Sequence, residues 1–233
     1  MTVPAAGAAN PDPDGLLVGR LAGLDSCGVS DALDALGLPP AVGGIAPLWP
    51  CGRVAGRAVT VAVQPVEAGV APPSRHLGAA AISAAVAGDV IVVANNGRTE
   101  AGAWGGLLAL AASMAGVRAV VIDGACRDVD EMEPLGLPVF ARAPVARTAR
   151  RRYVEVATNT EVVIGGVPLA PGDLVLADGS GVAVVPASRA SEVIGEAERM
   201  AAEESSMAAL IRSGRPAVEV LGQRYETMLG DPG

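Results

Sequence analysis

Apolar positions along this chain fall into alternating and continuous runs, and the order of the runs predicts an α/β fold. Residues 54–63 alternate apolar side chains with others, as a half-buried strand does, and Pro65 ends the run. Apolar runs predict buried strands over 90–93, 117–122 and 137–141. The segments between these runs predict helices over 76–86, 103–115 and 128–135. Strands and helices that alternate in this order form a parallel sheet with right-handed crossovers.

The pattern changes after residue 141. Residues 142–160 carry a cluster of arginines and are predicted to form an extended loop. Short apolar segments separated by glycine-containing turns predict an antiparallel meander over 162–167, 173–177 and 182–185. A long, charged, alanine-rich helix is predicted over 188–212, followed by a last helix over 216–229.

The 233 residues suggest one domain with terminal appendages. Two short helices, 13–23 and 29–36, precede the first strand, with Ser26 or Ser30 as the cap of the second. Residues 1–12 show no apolar period. We therefore predict a flexible tail over 1–12, a single α/β domain over 13–213 and a C-terminal helix or tail over 214–233.

The basic residues narrow the chemistry that this chain can perform. All 17 are arginine, no lysine is present, and the single histidine is His76. Without lysine the protein cannot form a Schiff base with a ketone or with pyridoxal phosphate, nor build a lysine-dependent phosphate loop. A two-histidine zinc site is excluded, and a Ser-His-Asp triad would have to use His76. Carboxylates, arginines, backbone amides and a bound cation remain as the chemical tools.

Charge and hydropathy indicate the environment. A net charge of −8 and an aromatic share of 2% weigh against nucleic-acid binding, which needs basic grooves and stacking platforms. The uncharged, alanine-rich run 101–117 is shorter than a membrane-spanning helix and is interrupted by glycines, and no signal peptide is evident. We expect a cytoplasmic protein that binds neither nucleic acid nor membrane. Its three cysteines are expected to be buried free thiols: Cys27, Cys51 and Cys126.

Two loops lie where ligands bind in α/β folds, beyond the carboxyl ends of parallel strands. The first, 94–106, contains a predicted turn at residues 95–97 and ends in Gly105-Gly106, where free amides at a helix start attract anions. The second, 123–128, carries Arg127, which can bind a carboxylate or enolate oxygen, and Asp128, which can bind a hard cation.

Each of these features also has an interpretation without chemistry. The glycine pair can serve close packing or a sharp turn, and Asp128 can cap its own acidic helix with Arg127 as a surface ion-pair partner. His76 is expected to be packed or hydrogen-bonded, and Asp123 can belong to a simple turn. The arginines of 147–152 can recognise an anion or a partner, or do neither. The carboxylates of the long C-terminal helix resemble a solvated face: Glu196, Glu198, Glu203 and Glu204.

An ordered series of motifs makes the sequence recognisable. It consists of VSDAL (29–33), GRAVT (56–60), GDVIVV (88–93), WGGLL (104–108), VIDGACRD (121–128), GLPVF (136–140), GGV (165–167), PGDLVLAD (171–178) and GVAVVP (181–186). With these motifs the chain resembles the RraA-like family, which includes 4-hydroxy-4-methyl-2-oxoglutarate and 4-carboxy-4-hydroxy-2-oxoadipate aldolases. The resemblance covers residues 25–210 and is more specific for the family than for one activity.

The resemblance implies a swivelling β/β/α-type α/β sandwich that assembles as homotrimers or hexamers with sites at subunit interfaces. It also implies a divalent cation, Mg²⁺ or Mn²⁺, in place of a lysine. Asp128 would bind that metal and Arg127 would hold the substrate and stabilise enolate charge. The 2-oxo acid's carboxylate would bind the amides of Gly105, Gly106, Leu107 and Leu108. A glutamate of the neighbouring subunit, here Glu203, would order the metal's waters.

Two functions follow as hypotheses. The first is a metal-dependent aldolase or oxaloacetate decarboxylase that forms pyruvate from a small 2-oxo dicarboxylate, in the setting of aromatic degradation. Many members carry an acidic residue where this chain has Gly106. Its absence is compatible with a related reaction, such as oxaloacetate decarboxylation, or with a site of little activity. The second is a non-catalytic regulator that binds a ribonuclease. Members of that kind replace the aspartate equivalent to Asp128, so its presence favours the enzyme.

Overall fold

A computed structural model describes residues 15–67 and 76–221 of the chain. Its α-helices are α1 (Leu16–Leu21), α2 (Ser26–Ala35), α3 (Ala79–Ala84), α4 (Gly106–Met114), α5 (Val129–Met132), α6 (Ala190–Arg212) and α7 (Ala217–Val220). Its strands are β1 (Ala46–Pro47), β2 (Val54–Pro65), β3 (Val90–Trp104), β4 (Ala119–Cys126), β5 (Val139–Pro144), β6 (Tyr153–Thr158), β7 (Val162–Ile164), β8 (Val167–Leu169), β9 (Leu174–Ala177) and β10 (Val182–Val185). The tail predicted over 1–12 and the end of the helix predicted over 216–229 lie outside the described residues. The predicted domain limits therefore stay a prediction.

The predicted parallel sheet is confirmed. Strands β2, β3, β4 and β5 lie next to one another in that order, and each neighbouring pair is parallel. The register aligns Val90 of β3 with Ala58 of β2 on one side and with Ala119 of β4 on the other. Because parallel strands need crossover connections, α3, α4 and α5 each follow one strand and precede the next. This arrangement brings the loops after β3 and β4 to the same edge of the sheet.

The sheet continues past β2 and nearly closes on itself. The long strand β2 pairs with β9 through residues 54–57, with β3 through residues 58–62 and with β6 through residues 61–65. The hairpin of β9 and β10 is antiparallel, as predicted, so the main path runs β1-β5-β4-β3-β2-β9-β10. This barrel-like sheet with surrounding helices confirms the predicted α/β fold class.

Three apolar clusters show how the layers pack. Side chains on one face of the parallel strands, such as Ile91 and Val120, pack under α3, α4 and α5. The opposite faces, with Val92 and Val121, fill the interior of the barrel-like sheet together with β7 to β10. The outer faces of β9 and β10 pack against α1, α2 and α6. Both faces of the central strands are buried, which explains their uninterrupted apolar sequences.

The prediction for residues 95–105 is wrong in part. The sequence predicts a turn at 95–97, but β3 runs without interruption from Val90 to Trp104, with positive φ at Asn96 and Gly97 and an irregularity in its pairing with β4 between Ala94 and Arg98. Its second part bonds irregularly to β4, through Gly102 and Trp104 among others. The helix therefore begins at Gly106 and not at residue 103.

The loop predicted over 142–160 is also wrong. β5 continues to Pro144, and β6 pairs antiparallel with β2. In the predicted meander, residues 162–169 form two strands, β7 and β8, of a separate two-stranded sheet. Residues 147–152 do connect two strands as an irregular segment, and this segment lies against the end of β3.

The helices of the outer layer lie where the sequence predicts them, but the cap of α2 is a different residue from the predicted ones. α2 begins at Ser26, and its cap is Asp25, whose carboxylate accepts from the Gly28 amide at 2.8 Å. The long helix α6 is confirmed and packs on α1 and α2. No helix within 15–67 and 76–221 is long and apolar enough to cross a membrane.

Candidate active site

The loops after β3 and β4 lie side by side because their strands are parallel neighbours. Trp104 at the end of β3 is aligned with Cys126 at the end of β4. The Arg127 amide donates to the Trp104 carbonyl oxygen at 3.1 Å. The residues that follow, Arg127 and Asp128 on one side and Gly106 on the other, are thereby brought together at the start of α4.

Asp128 faces the N-terminus of α4. Its Oδ2 accepts from the Gly106 amide at 3.0 Å, and its Oδ1 accepts from Arg127 Nε at 2.9 Å. Asp128 occupies the cap position of α5, but its side chain makes no capping hydrogen bond there, so the interpretation that it caps its own helix is wrong. The ion pair with Arg127 is present. The φ of Asp128 is 59°. A positive φ is uncommon for a residue with a side chain and is often found at functional sites.

Glycines allow this close approach. A Cβ on Gly105 would lie 2.8 Å from Asp128 Oδ2 and 2.9 Å from Arg127 Cγ. A Cβ on Gly102 would lie 3.1 Å from two side-chain carbons of Arg127. At Gly106 the nearest atom would be at 3.4 Å, an ordinary contact. The packing role proposed for the glycine pair therefore holds for Gly105, and the atoms it accommodates are those of the candidate site.

A cavity of 590 Å³ opens beside Asp128 and Arg127. Its lining includes the start of α4, the end of β3 and the segment that precedes β6: His76, Leu77, Gly102, Ala103, Trp104, Gly105, Leu107, Leu108, Arg127, Asp128, Thr148, Ala149, Arg150, Arg151 and Tyr153. A second depression of 410 Å³ has Arg127 and Asp128 in common with the first and carries the carboxylates of Asp130 and Glu131. The Arg127–Asp128 pair thus stands between a cavity rich in arginine and an acidic depression.

The four amides predicted to bind a carboxylate are not equivalent. The Gly106 amide already donates to Asp128, so it holds the metal-ligand candidate and not a substrate. The amides of Leu107 and Leu108 belong to the first turn of α4, where backbone donors have no partner within the helix. Gly105 at the cap position adds no side-chain acceptor for them. These two amides therefore remain suited to an anion at the helix start.

The donor set fits a magnesium or manganese ion only in part. No group of three or more His, Cys, Asp or Glu side chains in the described part of the chain is placed to hold a metal. Asp128 uses one acceptor position of each oxygen for Gly106 and Arg127, which leaves one free on each. Mg²⁺ commonly binds through one or two carboxylates and completes its coordination with water and substrate. The residues present thus fit an ion whose coordination is completed by water and by the bound substrate.

Glu203 is not brought to this site within the chain. It lies on α6 and accepts from Arg199 at 2.8 Å. α6 packs through Val193, Ile194 and Ala197 into the cluster with α1 and α2, whereas Leu108 of α4 belongs to the cluster on the face of the parallel strands that α3, α4 and α5 cover. A role for Glu203 at Asp128 therefore requires a second subunit.

Several residues of the cavity were not singled out from the sequence. The Tyr153 hydroxyl donates to Glu100 Oε2 at 2.9 Å. Burial and this hydrogen bond raise the pKa of Tyr153, so its hydroxyl stays protonated. His76, expected to be hydrogen-bonded, has Nδ1 2.8 Å from the Leu77 carbonyl oxygen. No spacing pattern in the sequence links β6 to this site, and only the arginine cluster just before it gave a signal.

Two other side chains differ from expectation. Asp123 is not in a simple turn but buried in β4, where it pairs with Arg142 and accepts from the Gly165 amide at 3.1 Å. Cys126 is buried as expected, and burial raises the pKa of its thiol to about 12. Cys27 is exposed and Cys51 is half-buried, so the expectation of three buried thiols is confirmed only for Cys126.

The comparisons with known proteins identify the family. The family model described as "RraA-like: Aldolase/RraA" matches residues 26–184, and the chain therefore belongs to the RraA-like family. It is 32% identical over 198 residues to Protein DlpA of Legionella pneumophila, a match that covers 85% of this chain and 32% of that protein. It is 31% identical to a Halalkalibacterium halodurans protein named "Putative 4-hydroxy-4-methyl-2-oxoglutarate aldolase", with 76% of this chain and 80% of that protein covered. The chain thus spans about a third of the length of DlpA and most of the length of the second relative.

Solved structures support the same assignment. An uncharacterized protein from Pseudomonas syringae pv. tomato matches with a TM-score of 0.79 and 33% identity, over 89% of this chain and 97% of that one. RraAS2 of Streptomyces coelicolor, described as an unusual member of the RNase ES inhibitor RraA protein family, matches with a TM-score of 0.77 and 29% identity. That match covers 86% of this chain and 99% of the other. Aldolase and inhibitor names thus both occur among the similar proteins.

Proposed function

We propose that this protein is a divalent-metal-dependent carbon–carbon lyase that forms pyruvate from a small 2-oxo dicarboxylate. 4-Hydroxy-4-methyl-2-oxoglutarate would be cleaved as by an aldolase, and oxaloacetate would be decarboxylated. The observation that carries the proposal is the position of Asp128, held by Arg127 and the Gly106 amide at the rim of a cavity. The aldolase names among the relatives and the absence of lysine from the sequence agree with it.

The chain's own residues would divide the work as follows. Asp128 would hold Mg²⁺ or Mn²⁺, which when bound supplies a Lewis acid for the 2-oxo group. Arg127 would donate to the 2-oxo oxygen as negative charge develops there during C–C cleavage. The Leu107 and Leu108 amides would bind the adjacent carboxylate. Gly106 has no carboxylate, so water ordered by Glu203 of a neighbouring subunit would accept the 4-hydroxyl proton in a trimer or hexamer.

The test is a pyruvate-release assay with the two substrates, with Mg²⁺ or Mn²⁺ and with EDTA. Asp128→Asn is expected to lower kcat/KM on the order of 10²-fold or more, because the residual amide is a poor ligand for a hard cation. Glu133→Gln is the matched control. It removes the same charge at an exposed position just after α5. Full activity in Asp128→Asn, or no pyruvate from either substrate with metal present, would overturn the proposal.

A regulator that binds a ribonuclease is the second candidate. It is favoured by the likeness to RraAS2, whose description names an RNase ES inhibitor family. The retained Asp128 at the start of α4 argues for the enzyme. Recovery of a ribonuclease with the purified protein, together with no metal binding in a titration, would reverse this order.

A further inference from the structure

The arginines of residues 147–152 differ from most others in the described part of the chain. Elsewhere a carboxylate usually lies within 4 Å of the guanidinium, as in the pairs of Arg20 with Glu198 and Arg57 with Asp89. Within residues 15–67 and 76–221, Arg150 and Arg151 form no ion pair, although both line the cavity beside Asp128. Unpaired guanidinium groups beside a cavity are suited to an anionic ligand.

Their two neighbours are already engaged. Arg147 does not line the cavity. A backbone hydrogen bond and the Tyr153 hydroxyl lower the pKa of Glu100, and the charges of Arg98 and Arg147 add to this. The Arg152 side chain donates to the Thr148 carbonyl oxygen at 3.0 Å, so its guanidinium contacts the backbone of its own turn. Arg150 and Arg151 are therefore the members of the cluster that are both at the cavity and free of a carboxylate in the described structure.

Backbone hydrogen bonds hold this segment against the site. The Gly102 amide of β3 donates to the Arg147 carbonyl oxygen at 2.9 Å, and the Val66 amide after β2 donates to that of Arg152 at 2.8 Å. Between these anchors Arg151 has a φ of 62°, a conformation that side chains disfavour and that persists only where surrounding contacts impose it. The turn thus presents Arg150 and Arg151 from a fixed backbone.

We propose that Arg150 and Arg151 form a second anion subsite that binds the carboxylate farthest from the 2-oxo group. The inference rests on the proposed function and makes the enzyme selective for dianions. One end of the ligand would lie at Arg127 and the start of α4, and the other at the 150–151 turn, which face the same 590 Å³ cavity. The cavity's lining residues include three arginines and one carboxylate side chain, that of Asp128. A bound monoanion would therefore leave part of this positive charge without a negative partner.

The test compares two ligands that differ only at the far end. 2-Oxoglutarate and 2-oxopentanoate have the same five-carbon chain, with a carboxylate in the first where the second has a methyl group. Neither has a 4-hydroxyl group, so the proposed aldol cleavage cannot consume them during calorimetric titration of the intact protein with Mg²⁺. The wild type is expected to bind 2-oxoglutarate about tenfold more tightly than 2-oxopentanoate.

The double variant Arg150→Gln with Arg151→Asn is expected to remove this preference and leave 2-oxopentanoate binding unchanged. Asparagine is chosen for residue 151 because it tolerates positive φ, so the turn keeps its backbone. Arg152→Gln, which removes one positive charge from the same turn outside the cavity lining, is the control and should keep the preference.

The outcomes separate this inference from the proposed function. Equal binding of both ligands by the wild type, or equal weakening of both in the double variant, would overturn the subsite. The same holds if Arg152→Gln loses the preference as fully as the double variant, because a general effect of charge would then explain it. A wild type with the expected preference but no pyruvate release from either substrate would retain the subsite and reject the lyase. Binding of neither ligand would overturn the subsite, and the pyruvate-release assay would then decide the lyase separately.

Discussion

At the scale of single residues, the candidate site depends on two adjacent glycines that approach Asp128 to different degrees. A Cβ at Gly105 would come within 2.8 Å of the Asp128 carboxylate, whereas one at Gly106 would remain at 3.4 Å. Gly105 has a φ of −169°, an extended conformation open to any residue. A side chain at Gly105 would therefore act by contact with Asp128 and Arg127 and not through backbone strain.

Gly105→Ala is expected to displace the Asp128 carboxylate and to lower kcat/KM for pyruvate release by about 10- to 100-fold, because small misplacements at a reacting centre are costly. Gly106→Ala is expected to be much milder and to stabilise α4 by up to about 1 kcal/mol, since alanine is favoured over glycine in a helix. Steady-state rates and urea unfolding of both variants check this. An equal loss of activity in the two variants would contradict a specific contact at Gly105.

At the scale of elements, the parallel strands could be predicted because their own apolar sequences indicate that they are buried. β4 is buried along its whole length, and its apolar run 119–122 is followed by one charged residue, Asp123, which pairs with Arg142. β6 could not be predicted in this way. Its residues are mostly half-exposed, Val156 is 50% exposed, and its strand conformation comes from pairing with the distant strand β2. The second part of β3 likewise depends on irregular bonds to β4.

The same distinction applies to the site. Arg127 and Asp128 could be found because ligands gather beyond the carboxyl ends of parallel strands, which the apolar runs locate. The arginines of 147–152 could be named as a possible anion site, but their place at this cavity could not be predicted. The position of Arg150, Arg151 and Tyr153 depends on how β6 is anchored. The engagement of the Gly106 amide by Asp128 is also a tertiary contact, invisible in the sequence.

One carboxylate joins elements that are far apart in the chain. Asp178, just after β9, accepts from the Ser26 hydroxyl at 2.6 Å and the Ser26 amide at 2.8 Å at the start of α2. It also accepts from the Ser180 amide at 2.9 Å. Burial alone would raise the pKa of Asp178, but the hydrogen bonds from Ser26 and Ser180 and the charge of Arg53 outweigh it and lower the pKa below its ordinary value. The charged form of Asp178 is thus favoured by the folded state.

This gives a pH dependence of stability with a definite sign. Because the folded-state pKa is depressed, the contribution of Asp178 is fully present above its unfolded pKa of about 3.9 and is lost as pH falls through the lower folded value. Asp178→Asn is expected to reduce the free energy of unfolding at pH 7 by about 1–2 kcal/mol. The difference from wild type should shrink as pH falls below about 4 and disappear only below the depressed folded-state pKa.

Urea unfolding at several pH values measures this difference. Asp34→Asn, an exposed change on the same helix α2, is the control and should show little effect at any pH. A deficit in Asp178→Asn that persists unchanged at pH 2 would show that the hydrogen bonds do not depend on the charge.

At the scale of the whole molecule, the candidate site of the single chain lies beside an apolar surface. Leu107, Leu110 and Met114 lie on one face of α4 at helical spacing and are 84%, 44% and 82% exposed. Leu107 also lines the cavity, so this face is continuous with the candidate site. Glu203, on the far layer, completes the proposed site only if a second copy supplies it. Both features agree with the proposed assembly, in which sites lie between subunits.

A complementation experiment tests this arrangement directly. Asp128→Ala and Glu203→Ala are each expected to have little activity as pure oligomers, because every site lacks one of the two carboxylates. If the Glu203 of one subunit serves the Asp128 of the next, random co-assembly of the two variants in equal amounts creates intact pairs at about a quarter of the sites. Unfolding and refolding the two together should therefore restore about a quarter of the wild-type rate, while separately refolded samples mixed afterwards should restore far less.

If co-assembled oligomers, verified by light scattering, remain as inactive as the pure variants, Asp128 and Glu203 do not act across an interface. Full activity of Glu203→Ala on its own would instead remove Glu203 from the site and leave the proposal for Asp128 intact.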